Sequence, residues 1–522
     1  MLARFLSSAA MLGLGAGMAM ADYSLTVLHT NDFHSRFEPI SKYDSGCSAE
    51  DNAEGKCFGG SARLMTAVEE AKARTNNYIL VDGGDQFQGS LFYTYYKGRV
   101  AAEMMNKMGY DAMTVGNHEF DDGPEVLKGF TESVDFPILM SNADVSTEPL
   151  LNDAIQKAVI LERGGERLGL IGLTPVDTDE LSSPGPNVVF SDPIEAVAMQ
   201  VERMQANGIN KIIVLSHSGY QVDQALAAAV PEVDIIVGGH DNTYLSNTAE
   251  NAKGPYPTMV GTTAIVQAYA YGKFLGELNV TFDDDGVITE AVGEPIVMDG
   301  GVVEHPATKE RIAELAVPLD EIRNKVVAQS GGVIEGDRAV CRIMECPMGN
   351  LVADAMLDRV KDQGIQVAFA NSGGIRASID EGDVTMGEVM TVLPFQNTLS
   401  TFQAKGQVII DALENGVSQV EEVKGRFPQV AGLSFTWDPS VAPNEGRVTE
   451  VMVAGEPIDP EAVYGIVTNN FVRNGGDGYK MFVSGAMDAY DFGPDLADVL
   501  ADYMAAQGPV MPMVEGRITR VE

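Results

Sequence analysis

The stretch "TVGNHEFDDG", residues 114–123, sets Asn117, His118, Glu119, Asp121 and Asp122 behind an apolar lead-in that stops at a glycine. Asparagine is poor in strand interiors and common in turns, so the plain reading is a solvated turn. The other reading is the mouth of an active site. Four more polar clusters decide between them, because each also follows a β-rich run. "HTNDFH" supplies Asp32 and His34, whose spacing of two puts both side chains on one side of an extended segment. "DGGDQ" supplies Asp85, "LSHSG" His217, and "VGGHDN" His240 and Asn242. In open α/β sheets the functional crevice lies off the carboxyl ends of the strands, where five such clusters can converge. Taken singly, each is ordinary: Asp-x-His as a turn, Gly-Asp as a helix cap, a lone histidine as a core residue. Jointly they are not, since four of the six histidines in the chain (34, 118, 217, 240) occupy these clusters. His29 precedes the first cluster, points the other way along the strand by parity, and is read as structural.

The donor types suit borderline to hard divalent ions such as zinc, manganese or cobalt, since carboxylate, imidazole and amide oxygen occur together. Six or seven donors exceed one tetrahedral site. Two ions about 3.5–4 Å apart and bridged by one carboxylate would use them all. They would also answer a charge problem. The chain carries a formal net charge of −40 over 522 residues, which argues against nucleic-acid polymers as partners, because their phosphates need a basic face. An anionic substrate needs a local reversal of sign, and two divalent cations supply one.

These residues need strands to position them. From Tyr23 to about Met298, short β-rich runs ("SLTVLHT", "NYILVDG", "DAMTVGN", "RLGLIGLT", "KIIVLSH", "VDIIVGG") alternate with helix-like segments such as "SARLMTAVEEAKART" and "DPIEAVAMQVERMQANG". That alternation argues for an α/β domain with a buried sheet. "KFLGELNVTFDDDGVITEAVGEPIVM" reads as a hairpin turning at "DDDG". Residues 305–327 form a charged, helix-like linker, and Pro318 inside it is expected to kink or split the helix. A second α/β-like stretch follows, with strands in "VAFANSGGI", "GLSFTWD" and "VYGIVTNNF" and helices in "NLVADAMLDRVK" and "GQVIIDALENGV". The length calls for two or more domains, and a hydrophobic fraction of 45% is that of globular chains.

Residues 1–21 read as a secretory signal cleaved after Ala21: an early arginine, a short Gly-rich apolar run, and Ala-Met-Ala at the end. The run is short for a membrane span. No cysteine follows the cleavage point and the C-terminus has no apolar tail, so no anchor is expected and the mature protein is placed in the periplasm or outside the cell. The four cysteines form two close pairs, Cys47 with Cys57 and Cys341 with Cys346. Two local disulfides fit an oxidising compartment. A four-cysteine zinc site is the weaker alternative, given the separation and the lack of CxxC spacing.

The set "LTVLHTNDFHSRFE", "GDQFQGS", "GNHEFDDG", "SHSG", "GGHDN", "NSGGIRASID", "VLPFQNTL" and "NNFVRNGGDGY" resembles the 5′-nucleotidases of the calcineurin-like metallophosphoesterase superfamily, across nearly the whole mature chain. It is most similar to the ecto-5′-nucleotidases and their periplasmic bacterial relatives. The resemblance implies a four-layer αββα phosphoesterase domain over 22–304, a linker helix over 305–327, and an α+β substrate-binding domain over 328–522. It implies that Asp32, His34 and Asn242 serve one metal ion, that Asp85 bridges, and that Asn117, His217 and His240 serve the second, with zinc first and manganese or cobalt as alternatives. Some relatives carry glutamine at the place of Asn242, and the shorter amide would leave that ion less well held. It further implies that His118 stays off the metals and faces the phosphate, with Asp121 fixing its tautomer and charge.

On the second domain the resemblance implies a nucleoside site. Arg342 and Arg376 pair with phosphate oxygens, Asn371 bonds the base or ribose, Asp477 accepts from ribose hydroxyls, and Phe395 and Phe471 stack on a purine. The expected activity is hydrolysis of AMP-like nucleoside 5′-monophosphates, with two divalent ions activating the attacking water. Alternatives of the same fold are a 2′,3′-cyclic-nucleotide phosphodiesterase with 3′-nucleotidase activity, a UDP-sugar hydrolase, or a thiosulfohydrolase. The alternative of another class is a nucleotide-binding surface protein without catalysis. The sequence is compatible with a monomer or a homodimer.

Overall fold

The computed structural model describes residues 22–42, 44, 47–395, 397–490 and 493–521. The expected signal segment, 1–21, lies outside them. The first half is built on two six-stranded sheets. One runs in the order Ile288–Val297, Phe274–Phe282, Tyr23–Thr30, Tyr78–Asp82, Ala112–Thr114, Ile138–Leu139. Its last four strands are parallel, and the hairpin turning at 283–287 forms its antiparallel edge. The other sheet has a parallel centre of Glu166–Leu173, Ile212–Ser216, Ile235–Val237 and Thr263–Val266.

Strand parity explains how the layers stack. Val27, Ile79, Val81 and Ala112 face one way and join Leu170, Ile213 and Ile235 between the two sheets. Their neighbours Leu28, Leu80 and Met113 face the other way, onto Leu64, Val68, Met104 and Met105 of the helices Ser61–Ala73 and Arg99–Met108. A strand buried on both faces reads as a continuous apolar run, which is how these appear in the sequence. The helices Pro193–Ala206 and Tyr220–Ala229 complete the stack, with Val197, Val201 and Leu226 in the same core as the second sheet. The result is the expected helix–sheet–sheet–helix order.

The second half holds a five-stranded mixed sheet in the order Pro428–Ala431, Val367–Asn371, Val463–Asn469, Leu399–Lys405, Met487–Tyr490. The helices Pro347–Val360 and Leu496–Gln507 pack on Ala368, Ala370 and Val467. Gly406–Gly416 packs on the opposite face, against Phe369, Phe402 and Ile466.

Between the halves runs the helix Pro306–Arg323, capped by His305, whose side chain accepts from the Thr308 amide. It corrects one expectation: Pro318 lies inside this helix and does not split it. Proline removes one backbone hydrogen bond there. Tertiary packing offsets that loss, since Ile312, Leu315, Ala316 and Leu319 on both sides of the proline are buried. The helix packs on Ser61–Ala73 and Leu91–Tyr96 of the first half and on Met386–Val392 of the second. Both cysteine pairs are disulfides, Cys47–Cys57 and Cys341–Cys346.

Candidate metal centre and nucleotide cavity

Each expected metal ligand, and His118, sits one to five residues beyond the end of a strand, where the chain turns away from the sheet, and Asp121 follows seven residues after Thr114. The strands end at Thr30, Asp82, Thr114, Ser216 and Val237. Asp32, His34, Asp85, His240 and Asn242 all have positive φ, between 50° and 80°. Such a conformation costs a non-glycine residue about 1–3 kcal/mol and persists only where the surroundings impose it. Five of the seven expected ligands carry this strain. This also corrects the reason given for pairing Asp32 with His34. The segment is not extended there, and consecutive left-handed turns, not strand parity, bring the two side chains to one side.

The side chains converge on Asp85. Its Oδ2 lies 3.9 Å from Nε2 of His34, 2.9 Å from Nε2 of His217 and 3.9 Å from Nε2 of His118. Asp32 Oδ1 is 3.8 Å from the same His34 nitrogen. Ligand atoms of Asp32, His34 and Asp85 all fall within 4.8 Å of one another. On the other flank, Nδ1 of His240 faces Oδ1 of Asn117 at 3.0 Å. Asn242 donates to the Tyr271 hydroxyl at 3.4 Å and lines a neighbouring cavity that shares His240, Arg338, Arg342 and Arg376 with the main one. His29 lies in the sheet interior, bonded to the Tyr256 hydroxyl at 2.8 Å. Burial pushes its imidazole down to about 3, as befits a structural residue.

The donor set fits divalent cations on two counts. First, Asp32 Oδ1 and Asn242 Oδ1 are buried with no hydrogen-bond partner, a costly state unless something else pairs with them. Second, the histidines present the right nitrogen. His34 Nδ1 faces the Phe87 carbonyl at 3.1 Å and His217 Nδ1 the Gly83 carbonyl at 2.6 Å, which leaves Nε2 of each for an ion. Burial, reinforced by Arg376 for His34 and by Lys424 for His240, holds both imidazoles well below their ordinary pKa, so both are neutral ligands. Burial pushes the Asp85 carboxyl up, but His217, His118 and His34 outweigh it and hold it well below the usual range.

Glu119 locks this geometry, and sequence reasoning passed it over although it lies in the opening stretch. Its carboxylate accepts from four backbone N–H groups: Asp85, Gln86, Phe87 and Gly116, at 2.7–3.2 Å. It thereby ties the Asp85 turn to the Asn117–His118 turn. Gly116 must be glycine, because a Cβ there would collide with the Asp85 carboxylate. His118 lies beside this cluster. Its Nδ1 is 2.7 Å from Asp121 Oδ2. Burial disfavours its charge, yet Asp121 and Asp85 more than compensate and raise its pKa above the ordinary imidazole value.

One cavity of about 620 Å³ joins the two halves of the chain. Asp85, Asn117, His118, Asp121 and His240 line it from the first half, and Arg342, Asn371, Arg376, Phe395, Phe471 and Asp477 from the second. Every second-half candidate is therefore in the cavity wall. Asp32, His34 and His217 lie buried beside it. Asn371 donates to Asp477 at 2.6 Å and accepts from Asn469 at 2.9 Å. The Arg376 guanidinium reaches His34 Nε2 at 3.3 Å and covers the Phe395 ring at 5.4 Å. Phe395 in turn stacks on His118, with centroids 5.4 Å apart and planes 26° from parallel. Arg338 and Lys424, not singled out in the sequence, share the cavity wall. Arg338 donates to the His240 carbonyl at 3.4 Å. It opens the short helix Arg338–Cys341, and Arg342, four residues on, is that helix's C-cap, a spacing that places both on the same side.

A two-sheet sandwich with a carboxylate–histidine–amide cluster on its strand ends is the architecture of a metal-dependent phosphoesterase. Comparison agrees: residues 25–244 match the calcineurin-like phosphoesterase family and residues 326–484 the 5′-nucleotidase C-terminal domain. The chain belongs to the 5′-nucleotidase family and is a hydrolase of phosphoric monoester bonds. It is 36% identical to a snake venom 5′-nucleotidase of Naja atra, over 95% of this chain and 98% of that one. It is also 36% identical to the 5′-nucleotidase of Homo sapiens, over 97% and 93% of the two chains. The crystal structure of a 5′-nucleotidase precursor from Thermus thermophilus superposes with a TM-score of 0.91 at 40% identity, covering 96% of this chain and 99% of that one. A calcineurin-like domain implies divalent metal ions. Among the described residues no helix is long and apolar enough to cross a membrane.

Proposed function

We propose that this protein hydrolyses nucleoside 5′-monophosphates of the AMP type to nucleoside and phosphate. The observation that carries the reading is the shared cavity, in which the Asp85 cluster faces a wall of arginines, phenylalanines and a paired Asn371–Asp477. Bound divalent ions would polarise the phosphoryl oxygens and acidify the attacking water. We assign two, zinc first and manganese or cobalt as alternatives. Asp32, His34 and Asn242 would hold one, Asn117, His217 and His240 the other, with Asp85 between them.

The chain's own side chains do the rest. Arg342 and Arg376 neutralise the phosphate on entry and orient it. Asp121 accepts from Nδ1 of His118 and with Asp85 favours the cationic ring, so that Nε2 also carries a proton toward the phosphoryl group and stabilises charge developing on the oxygens. Phe395 and Phe471 supply faces for the base, and Asp477 accepts from ribose hydroxyls. Water oxygen becomes the fourth oxygen of phosphate, and the ester oxygen leaves with the nucleoside as its 5′-hydroxyl.

The division of labour assigns chemistry to residues 22–304, the linker to 305–327 and recognition to 328–522. The helix Pro306–Arg323 falls within that linker. We also infer export across a membrane, on the strength of the N-terminal segment and the two disulfides.

Phosphate release from AMP, ADP, UDP-glucose and 2′,3′-cyclic AMP tests the substrate. AMP is expected to lead. A lead by the cyclic nucleotide or by UDP-glucose would overturn the assignment of the second half. Release from none of them, with any metal, would favour a binding protein.

A further inference from the structure

Asp121 has two carboxylate oxygens, and His118 uses only one of them. Oδ2 faces Nδ1 of the imidazole at 2.7 Å. Oδ1 accepts from the hydroxyl of Ser182 at 2.6 Å, across 61 residues of sequence. Ser182 follows the short helix Thr178–Leu181 directly, and both Ser182 and Asp121 line the nucleotide cavity. The same segment reaches the second half of the chain. Thr178–Leu181 packs on Gly476–Gly478, the turn that carries Asp477, and Asp177 lies 3.8 Å from Lys424.

The terminal torsion of an aspartate is broad, so a carboxylate held through one oxygen can swing. Donors on both oxygens fix its plane. That plane sets the direction in which the imidazole points its other nitrogen, as outer partners do for histidines generally. The Asp121 side chain is only 11% exposed, which leaves little room for water to take over the task.

We propose that Ser182 is a positioning residue for hydrolysis: its hydroxyl fixes the Asp121 carboxylate and, through it, the imidazole of His118. The proposal rests on the role given to His118 above. It also places the support of the His118–Asp121 pair in a first-half segment that touches the turn bearing Asp477.

The test is a cycle of kcat and KM for AMP in the wild type, Ser182→Ala, Ser182→Thr, Asp121→Ala and the double variant Asp121→Ala/Ser182→Ala. Metal content and thermal unfolding are measured for each. Ser182 acts on His118 only through Asp121, so Ser182→Ala should lower kcat roughly five- to tenfold, less than the loss of a charge-assisted hydrogen bond made to the substrate itself. KM should stay within about a factor of two, a split that marks an interaction made in the transition state. Metal content and Tm should not move, and Ser182→Thr should recover the rate. With Asp121 already alanine, removing the hydroxyl should cost nothing more, because its effect runs through that carboxylate. Three results would overturn the proposal: an unchanged kcat in Ser182→Ala, the same fold loss in the Asp121→Ala background, or a loss that tracks departing metal or a falling Tm. A wild type that leaves AMP intact would instead remove the proposed function, and this role with it.

Discussion

At the scale of single residues, two substitutions separate the parts of the site. His118→Ala leaves the metal cluster's other side chains in place, so kcat should fall by about 10²–10³, the loss of one transition-state donor, with Tm and metal content unchanged. Asp85→Ala should cost more. Its carboxylate stands between His34, His118 and His217, so its loss should release metal as well as abolish turnover, and metal analysis of the purified variant checks that. Arg342→Ala and Arg376→Ala should each cut kcat/KM for AMP by about 10–100-fold, the range for one charge-assisted hydrogen bond, at unchanged metal content. The cluster of candidate metal donors was legible in the sequence because donor types and strand-end placement are local properties, whereas the roles expected of His118, Arg342 and Arg376 came only from the family resemblance. Arg338, Lys424 and Glu119 were not legible in the same way. Glu119 acts on backbone amides over 30 residues away, and nothing in its own neighbourhood announces that.

At the scale of elements, the alternation of apolar runs and helix-like segments gave an α/β domain with a buried sheet, since strands buried on both faces leave a strong signal; the four-layer stack was implied by the family resemblance. The turns did not follow. Asp32 and His34 share a side through left-handed backbone, which depends on contacts with the distant Asp85 turn: the amides of Asp32 and His34 donate to the carbonyls of Gly84 and Asp85. Pro318 misled for the same reason, because a buried apolar stripe outweighed a local helix breaker. Gly116→Ala is the element-scale test. It should disrupt the Asp85 turn and lower both metal content and activity, while the far-ultraviolet circular dichroism stays that of the wild type.

A second element-scale test uses pH. Asp234 precedes the strand Ile235–Val237 and accepts from the Ile212 amide at 2.7 Å. Burial pushes its carboxyl up to about 7. A raised folded-state value means that the protonated form favours folding. Its stabilisation is therefore complete below the unfolded value near 4 and is lost as pH rises to about 7. Unfolding free energies at several pH values should fall less steeply over that window in Asp234→Asn than in the wild type. An identical slope would contradict the assignment.

At the scale of the whole molecule, the chain confronts an anionic substrate with a formal charge of −40. It answers by gathering Arg338, Arg342, Arg376, Lys424 and Lys480 around one cavity, with Arg376 and Lys424 reaching His34 and His240 of the metal cluster. The cavity draws its candidate metal donors from the first half and its arginines and phenylalanines from the second. The central claim is that this joint site runs on two divalent ions per chain. The most direct measurement titrates chelator-stripped protein with zinc, manganese or cobalt and follows bound metal per chain and AMP turnover together. Turnover that is absent without metal and reaches its plateau as the second ion binds is the expected result. Turnover at a plateau with one ion bound, or undiminished in the stripped protein, would contradict it.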